Sequence, residues 1–231
     1  MNENSMESWD PIWEKIFSEN PWGKYPSESL IQFIARFFYK LKRSETNILE
    51  VGCGPGANIW YLAKEKFNAY GIDGSETAIL QAEERLKSEN LFAKLNVGDI
   101  ISLPYSDLTF DAVIDVECIY ANDLENANKI LKEVSRVLKK EGLFYSRTLS
   151  DKIYVGKSRV ELENKSYTNI SDGPLNGRGF ARLMNNNDIN SLYGQYFDII
   201  SIDTLDYSIN NRQSEINEFI IIARKKENER K

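Results

Sequence analysis

Three glycines within five residues form the stretch of this sequence that is best suited to hold a ligand. They are Gly52, Gly54 and Gly56, and they follow Glu50 at the end of an apolar run. Glycine has no Cβ, so the backbone can approach a ligand closely, and the helix behind the loop offers free N–H groups. Asp73 ends the next apolar run, where a carboxylate can accept hydrogen bonds from ribose hydroxyls. The spacing therefore predicts a nucleoside site built from a strand, a glycine loop, a helix and a second strand.

The glycine spacing by itself leaves two classes of ligand open. Gly52, Gly54 and Ala57 satisfy the relaxed dinucleotide fingerprint G-x-G-x-x-(G/A), and Gly52, Gly54 and Gly56 give a G-x-G-x-G loop. Pro55 bears on the choice, because proline has no N–H to donate to a pyrophosphate. S-adenosylmethionine, the ligand that a G-x-G-x-G loop binds in methyltransferases, has no phosphate and does not need that donor. Pro55 therefore favours S-adenosylmethionine over a dinucleotide.

Two stretches carry a resemblance to a known family. The run Glu50–Gly56, EVGCGPG, followed by Gly71–Ser75, GIDGS, resembles motif I and the strand 2 acid of class I S-adenosylmethionine-dependent methyltransferases. Residues 98–111 resemble the family's GD...LP...FD pattern, in which the acid contacts the adenine amino group. The resemblance implies an α/β, Rossmann-like fold with a seven-stranded, mostly parallel sheet, a C-terminal antiparallel β hairpin and helices on both faces.

The resemblance also implies where S-adenosylmethionine binds. The glycine loop is expected to meet its methionine part, Asp73 its ribose, and Asp99 with Ile100 its adenine, while the backbone at Asp115 and Val116 lies near its amino group. The full set of expected cofactor contacts is Glu50, Gly52, Cys53, Gly54, Gly56, Asn58, Asp73, Gly74, Ser75, Asp99, Ile100, Asp115 and Val116.

The chain has no histidine, which excludes Ser-His-Asp catalysis and histidine metal sites, and we predict no metal. A neutral amine can attack a methyl donor directly, whereas a hydroxyl acceptor usually needs a base. Glu117 and Asp115 are the nearest candidates for that base, followed by Tyr120, with helix capping or solvation as the alternative role of Glu117. Cys53 and Cys118 are candidate thiol nucleophiles, but buried packing is favoured for both.

Composition predicts one globular unit in a reducing compartment. The 231 residues carry a net charge of −6 with acidic and basic residues interspersed, so no broad cationic face for nucleic acid is expected. The sequence shows no apolar span of membrane length and no signal peptide, and its two cysteines make a disulfide framework improbable. We therefore expect a cytoplasmic monomer or homodimer without nucleic-acid or membrane partners.

Apolar periodicity predicts alternating strands and helices from residue 47 to residue 146, and then a short helix and a terminal β hairpin. Short apolar runs are typical of buried strands, and three- and four-residue spacing indicates helices. Predicted strands cover 48–51, a run ending at Asp73, 91–97, 110–115, 143–146, 197–207 and 218–223; predicted helices cover 27–43, a short run after the glycine loop, 75–87, 123–141 and 187–193.

Two segments are expected to surround the acceptor. We divide the chain into an N-terminal aromatic lid and helix at 1–46 and a methyltransferase domain at 47–231. The segment before Tyr25 is irregular and aromatic, which fits either packing or a lid over the cofactor. Residues 149–182 lack a regular pattern, and a substrate-binding elaboration is favoured over a disordered loop. The predicted acceptor contacts are Trp13, Trp22, Tyr25, Tyr154 and Arg178.

We predict methyl transfer from S-adenosylmethionine to a small-molecule acceptor, such as the hydroxyl or amine of a sugar or another metabolite, with S-adenosylhomocysteine as the product. Residues 22–26, WGKYP, resemble lids of bacterial sugar-modifying members, and residues 115–118 lack the (Asn/Asp)-Pro-Pro-(Tyr/Phe) run of nucleic-acid amino methylases. Two alternatives stay open: an NAD(P)-dependent oxidoreductase, and a non-catalytic family member that binds S-adenosylmethionine.

Overall fold

The computed structural model describes residues 8–227. Its helices are α1 Ile12–Glu19, α2 Glu28–Phe38, α3 Ala57–Lys64, α4 Glu76–Ser88, α5 Leu124–Val137 and α6 Asn186–Tyr193. Its strands are β1 Asn47–Val51, β2 Asn68–Asp73, β3 Lys94–Val97, β4 Phe110–Val116, β5 Leu138–Leu149, β6 Val160–Glu161, β7 Ser166–Thr168, β8 Ala181–Arg182, β9 Phe197–Ile209 and β10 Ser214–Lys225. The outer ends of the two predicted domains, residues 1–7 and 228–231, lie outside the described residues.

Seven strands form one sheet in the order β3-β2-β1-β4-β5-β10-β9. Neighbouring strands from β3 to β5 are parallel, whereas β10 is antiparallel to both β5 and β9. This order confirms the predicted sheet with its C-terminal antiparallel hairpin. The chain leaves β1 toward β2 and later crosses to β4 on the other side, so the crevice above β1 and β4 is the topological switch point.

Hydrophobic clusters cover both faces of the sheet, as predicted. On one face, α5 and α6 contribute residues such as Ile130 and Leu192 to a cluster with Val113 of β4. On the other, Ile34 of α2 and Leu62 of α3 share a cluster with β1. The two clusters use alternate residues of buried strands, which explains why β1 and β4 read as nearly continuous apolar runs.

Side-chain caps fix the starts of the helices that frame the crevice. The Ser75 hydroxyl accepts a hydrogen bond from Ala78 N at 3.0 Å, and the Asp123 carboxylate accepts one from Asn126 N at 2.8 Å. Both caps lie at the residues where the sequence predicted these two helices to begin. The last helix, α6, begins one residue earlier than predicted, because Asn185 forms a capping box with the third residue of the helix.

Three predictions in the first half of the chain are wrong: the irregular segment before Tyr25, the end of the helix predicted at 27–43, and the start of the strand predicted at 91–97, which begins at Lys94. Residues 12–19 form α1, although the segment before Tyr25 was expected to be irregular. Its helical signal is only two turns long and stands beside a proline, so the periodicity was too short to recognise. The following helix, α2, ends at Phe38 and not near residue 43.

The last three strands of the seven-stranded sheet, β5, β9 and β10, are longer than predicted. β5 begins at Leu138, directly after α5, although Glu141 and Gly142 were expected to end that helix before a strand at 143–146. Glu141 has a φ of 60°, and the register between β4 and β5 shifts near it, so an irregularity inside the strand accommodates these residues. The hairpin strands likewise extend to Ile209 and from Ser214, which leaves a tighter turn than expected.

Residues 149–182 are folded. They contain β6, β7 and β8, which form a small antiparallel sheet. Leu149, Ile153, Ile170 and Leu175 pack with Tyr120 in a third hydrophobic cluster, which ties this segment to the end of β4. Strands of two or three residues have no periodicity to detect, so the sequence showed only an irregular stretch. No helix within residues 8–227 has the length and apolar character needed to cross a membrane.

Candidate active site

A cavity of about 360 Å³ lies at the carboxyl ends of the central strands, covered by residues from the N-terminal segment. Its volume falls within the range of small-ligand pockets. The predicted residues that line it are Glu50, Gly52, Cys53, Gly54, Asn58, Asp73, Gly74, Asp99, Ile100, Val116 and Glu117, together with Trp13, Trp22, Tyr25 and Arg178. The predicted residues Gly56, Ser75, Asp115, Tyr120 and Tyr154 are not part of this lining. The structure therefore brings most of the expected cofactor and acceptor residues to one place.

The three loop glycines all have positive φ, but they face different surroundings. A Cβ on Gly52, at φ 65°, would overlap the Cys118 side chain. A Cβ on Gly54, at φ 49°, would meet the Phe17 ring edge at 3.4 Å and Trp22 Nε1 at 4.0 Å, both at the cavity wall and both at ordinary contact distances. Gly56, at φ 78°, lies against Ala82, to which its Cβ would come within 2.8 Å. Gly54 thus leaves space for a ligand, whereas Gly52 and Gly56 allow close packing behind the loop.

Asp73 at the end of β2 holds the glycine loop in place. Its Oδ2 accepts a hydrogen bond from Gly54 N at 2.8 Å, and its Oδ1 accepts one from Ser75 N at 2.9 Å. Burial raises the pKa of this carboxyl group, against the effect of the two backbone donors. Asp73, the residue expected to contact ribose, therefore also connects the glycine loop after β1 with the end of β2.

Glu50 at the end of β1 is buried with one carboxyl oxygen unpaired. Its Oε1 accepts a hydrogen bond from Asn58 Nδ2 at 2.5 Å, while its Oε2 is buried without a hydrogen-bond partner among the described residues. Burial is the largest cause that raises the pKa of Glu50 to about 8. A buried carboxyl group beside a cavity, with one oxygen that has no hydrogen-bond partner, can bind a cation, which would supply the missing partner.

The first described residues close the opposite end of the cavity. Ser8 N donates to Asp99 Oδ2 at 2.9 Å, and the Ser8 hydroxyl also hydrogen-bonds the Asp99 carboxylate. The Trp9 indole lies directly on Gly74, where any Cβ would overlap it. The acid expected to contact adenine is therefore already bonded to the N-terminal segment, so an adenine amino group must share or replace the Ser8 contact.

The cover over the cavity is attached to the helix that follows β2. Glu14 of α1 accepts a hydrogen bond from the Ser75 hydroxyl at 2.5 Å and further bonds from Thr77, at the N-terminus of α4. A carboxylate at this position is stabilised by the helix dipole. Above the glycine loop, Trp13, Phe17 and Trp22 form a cluster of edge-on and tilted rings, with Phe17 and Trp22 centroids 5.1 Å apart.

The three candidate bases have different positions. Asp115 is fully buried and accepts from Cys118 N, Ile119 N and the Ser146 hydroxyl, and burial raises its pKa to about 6. Tyr120 is also buried outside the lining. Glu117 alone of the three lines the cavity, in a backbone conformation with φ 55° that non-glycine residues rarely adopt.

The two cysteines have the environment of packed side chains. Cys53 lies against Gly71, and Cys118 lies against Gly52, so both side chains fill space where the neighbouring glycines lack a Cβ, and both residues also line the cavity. Burial raises the pKa of both thiols well above the ordinary value. A protonated thiol is a weak nucleophile, so the geometry supports the packing role.

The sequence did not identify several residues of the cavity. Ser8, Trp9, Asp10, Phe17, Asn122 and Arg147 all line it. Arg147 lies in β5 between Ser146 and Thr148, and its position two places from the end of that strand was the available signal. Tyr154 was expected at the acceptor, but its hydroxyl hydrogen-bonds Asp172 at 3.1 Å, away from the cavity lining.

Comparison with known proteins agrees with this arrangement. A family described as "Methyltransferase domain" matches residues 42–188. Norajmaline N-methyltransferase from Rauvolfia serpentina is 35% identical over 94 residues, which cover 39% of this chain and 32% of that protein. A tRNA N(3)-methylcytidine methyltransferase from Schizosaccharomyces pombe is 25% identical over 222 residues, which cover 88% of this chain and 69% of that protein. For the Rauvolfia enzyme and three further relatives of 30–35% identity, the matched part of this chain covers only 32% to 56% of the relative's own length.

Solved structures show the same fold. A SAM-dependent methyltransferase from Methanosarcina mazei superposes with a TM-score of 0.70 at 22% sequence identity, covering 87% of this chain and 98% of that one. The likeness confirms the Rossmann-like architecture with its C-terminal antiparallel hairpin. At this identity it carries no information about the acceptor, which must be argued from the side chains of the cavity.

Proposed function

The chain belongs to the methyltransferase domain family, and we propose that it transfers a methyl group from S-adenosylmethionine to a small-molecule acceptor. The observation that carries this proposal is Glu50, a residue of the cavity wall beside the glycine loop whose second carboxyl oxygen is buried without a hydrogen-bond partner among the described residues. S-adenosylmethionine carries an ammonium group that can pair with this oxygen. A dinucleotide would bring a pyrophosphate close to Glu50 and Asp73, which disfavours the oxidoreductase alternative.

Different residues of the cavity fit different parts of the methyl donor. S-adenosylmethionine supplies a methyl group on a positively charged sulfur, activated for displacement by a nucleophile. Glu50 and the backbone at Gly52–Gly54 would hold its amino-acid end, Asp73 its ribose, and Ile100 its adenine. Asp99 would bind the adenine amino group in exchange for, or together with, its contact to Ser8. Trp13, Phe17 and Trp22 would exclude water above the loop.

The acceptor would enter between Trp22 and the end of β4. Of the predicted bases, Glu117 lines this part of the cavity, so it is our candidate for hydrogen-bonding the acceptor's amine or hydroxyl and receiving its proton. A cavity of about 360 Å³ covered by aromatic side chains suits a small molecule. The net charge of −6, with acidic and basic residues interspersed along the sequence, argues against a polynucleotide, although one relative is a tRNA methyltransferase.

Calorimetric titration with S-adenosylhomocysteine tests the donor site, and S-adenosylhomocysteine release from a panel of metabolites and from tRNA tests the acceptor class. We expect saturable binding and turnover of small molecules only. Thermal stabilisation by NAD or NADP and not by S-adenosylhomocysteine would favour an oxidoreductase. Binding without turnover of any acceptor would favour a non-catalytic member, and turnover of tRNA alone would replace the small-molecule assignment.

Binding of S-adenosylhomocysteine is expected to release a proton from Glu50. Its pKa of about 8 keeps this carboxyl group mostly protonated in the free protein at neutral pH, and the ligand's ammonium group favours the ionised form. Affinity should therefore increase as the pH rises toward about 8. Calorimetry in phosphate and Tris buffers at the same neutral pH measures the release, because the two buffers differ in ionisation heat; we expect a value approaching one proton per site.

Glu50→Gln provides the control for this proton release. The amide keeps the shape and the Asn58 contact but does not titrate, so the difference between the two buffers should disappear. The same raised pKa makes the ligand-free fold lose stability as the pH rises from 4.5 to about 8, because the folded state binds the extra proton in that window. Equal proton release in wild type and Glu50→Gln would assign the proton to another group.

A further inference from the structure

We propose that the acceptor carries a carboxylate group and that the Arg178 guanidinium binds it. This inference rests on the proposed methyltransferase function and specifies its substrate class. Three observations carry it: the position of Arg178 at the cavity wall, the open donors of its guanidinium, and the contrast with Arg147, the other arginine of the cavity.

The backbone directs Arg178 into the acceptor end of the cavity. Arg178 N donates to Leu175 O at 3.2 Å, and the flanking Gly177 and Gly179 both have positive φ, at 71° and 74°. These glycines turn the chain sharply on both sides of the arginine. The guanidinium lies 5.7 Å from the centre of the Trp22 ring, so an aromatic face limits its orientation.

The guanidinium of Arg178 has donors to spare. Its nearest carboxylate oxygen is Glu117 Oε2 at 3.7 Å, which is an ion-pair distance but too long for a hydrogen bond. Among residues 8–227, the polar side chains that interact with the guanidinium are Glu117 and Tyr120, so most of its five N–H donors stay without a protein acceptor, and 33% of the Arg178 side chain is exposed. Beside it, the Tyr120 hydroxyl is fully buried, and the neighbouring Arg178 guanidinium opposes the burial that raises the pKa of Tyr120 to about 12.

Arg147 shows what a fully engaged arginine looks like in the same cavity. Its Nε donates to the buried Glu218 carboxylate, its Nη2 lies 3.4 Å from Glu117 Oε1, and its side chain is 12% exposed. Arg147 therefore holds Glu117 from the sheet side. When Arg178 binds a ligand, Glu117 keeps this partner, so the exchange does not leave a carboxylate unpaired.

A carboxylate is the ligand group that best matches the free donors of Arg178. Guanidinium presents parallel N–H groups in a plane, and a carboxylate accepts two of them at once. A neutral acceptor, such as an unmodified sugar, would cover the guanidinium without replacing its water contacts, which costs binding energy. Phosphate can also accept two such bonds, so a phosphate ester is the competing anion that the test must distinguish.

The test uses amino and hydroxy carboxylic acids, aromatic and aliphatic, each assayed beside its own carboxamide. The probes include 2-aminobenzoate with 2-aminobenzamide and 4-hydroxybenzoate with 4-hydroxybenzamide, and the phosphate arm uses 4-hydroxyphenyl phosphate and phosphoserine. S-adenosylhomocysteine formation is measured for every compound. We expect turnover of carboxylates, with kcat/KM about 10- to 100-fold above that of the paired carboxamides and of the phosphates.

Variants connect this preference to one side chain. Arg178→Met should remove the carboxylate preference mainly through KM, and Arg178→Lys should retain part of it, because lysine keeps the charge but not the paired donors. Arg159→Met is the matched control, since Arg159 lies in the same segment over Tyr167 and not at the cavity. Calorimetry with S-adenosylhomocysteine should give the wild-type affinity for all three.

The outcomes separate this inference from the proposed function. Four outcomes would overturn this inference and leave the proposed function standing. They are equal turnover of carboxylates and carboxamides, preferred turnover of phosphates, an unchanged preference in Arg178→Met, and binding of S-adenosylhomocysteine without turnover of any carboxylate. Failure of the wild-type protein to bind S-adenosylhomocysteine would overturn the proposed function first.

Discussion

Gly52→Ala is expected to lower the free energy of unfolding by about 3 kcal/mol, whereas Gly54→Ala should lower it by about 1 kcal/mol. Both residues have positive φ, which disfavours alanine by a similar amount at each position. Only at Gly52 does the added methyl group also overlap the Cys118 side chain in the packed interior. Chemical denaturation of the ligand-free proteins measures the difference, which comes from packing and not from backbone strain.

The two variants should have the opposite order of effects on ligand binding once stability is taken into account. The Gly54 methyl group would extend toward the cavity wall at Phe17, where the methyl donor is expected to lie. Gly54→Ala should therefore weaken S-adenosylhomocysteine binding about tenfold or more while the protein stays folded. Calorimetry at a temperature where both variants are folded provides this comparison.

Cys118→Gly gives the control for the packing argument. In the Gly52→Ala/Cys118→Gly double variant the side chain that the new methyl group meets is absent, so part of the lost stability should return. Additive losses in the double variant, or equal losses in Gly52→Ala and Gly54→Ala, would show that close packing against Cys118 is not the reason for glycine at position 52.

Much of the fold follows from patterns that are local in the sequence. The apolar runs around β1 and β4, the glycine loop between β1 and α3, and the caps Ser75 and Asp123 each depend on residues close together in the chain. Acids at the ends of successive parallel strands must meet at one edge of a sheet, so the meeting of Glu50 and Asp73 at the cavity could be predicted without coordinates.

The missed parts depend on contacts between distant segments. Ser8 bonds Asp99 across 91 positions, and nothing near Ser8 in the sequence indicates that contact. Arg147 and Tyr154 show the same limit in opposite directions. Side chains alternate between the two faces of a strand, and this alternation places Arg147 at the cavity. Tyr154 instead hydrogen-bonds Asp172 and lies outside the cavity lining. Short elements such as α1 and β6 also carry too few residues for a periodic signal.

Asp73→Ala is expected to lower S-adenosylhomocysteine affinity about 100-fold or more and to destabilise the free protein by about 3 kcal/mol. The carboxylate accepts hydrogen bonds from Gly54 N and Ser75 N, so its removal leaves two backbone donors without their partner and frees the glycine loop. It also removes the oxygen atoms expected to bind the ribose hydroxyls. Calorimetric titration gives the affinity, and denaturant unfolding gives the stability.

Asp111→Ala separates the loss of binding from the loss of stability. Asp111 likewise bonds a backbone donor on a neighbouring strand, Asn47 N at 2.8 Å, and it pairs with Lys139, but it lies near the start of β4, at the opposite edge of the sheet from the cavity. Its removal should destabilise the fold and leave S-adenosylhomocysteine affinity at the wild-type value. A similar loss of affinity in both variants would mean that Asp73→Ala weakens binding only because it destabilises the fold. The nucleoside would then have to be held by Glu50 and by the residues around Gly74, on which Trp9 lies.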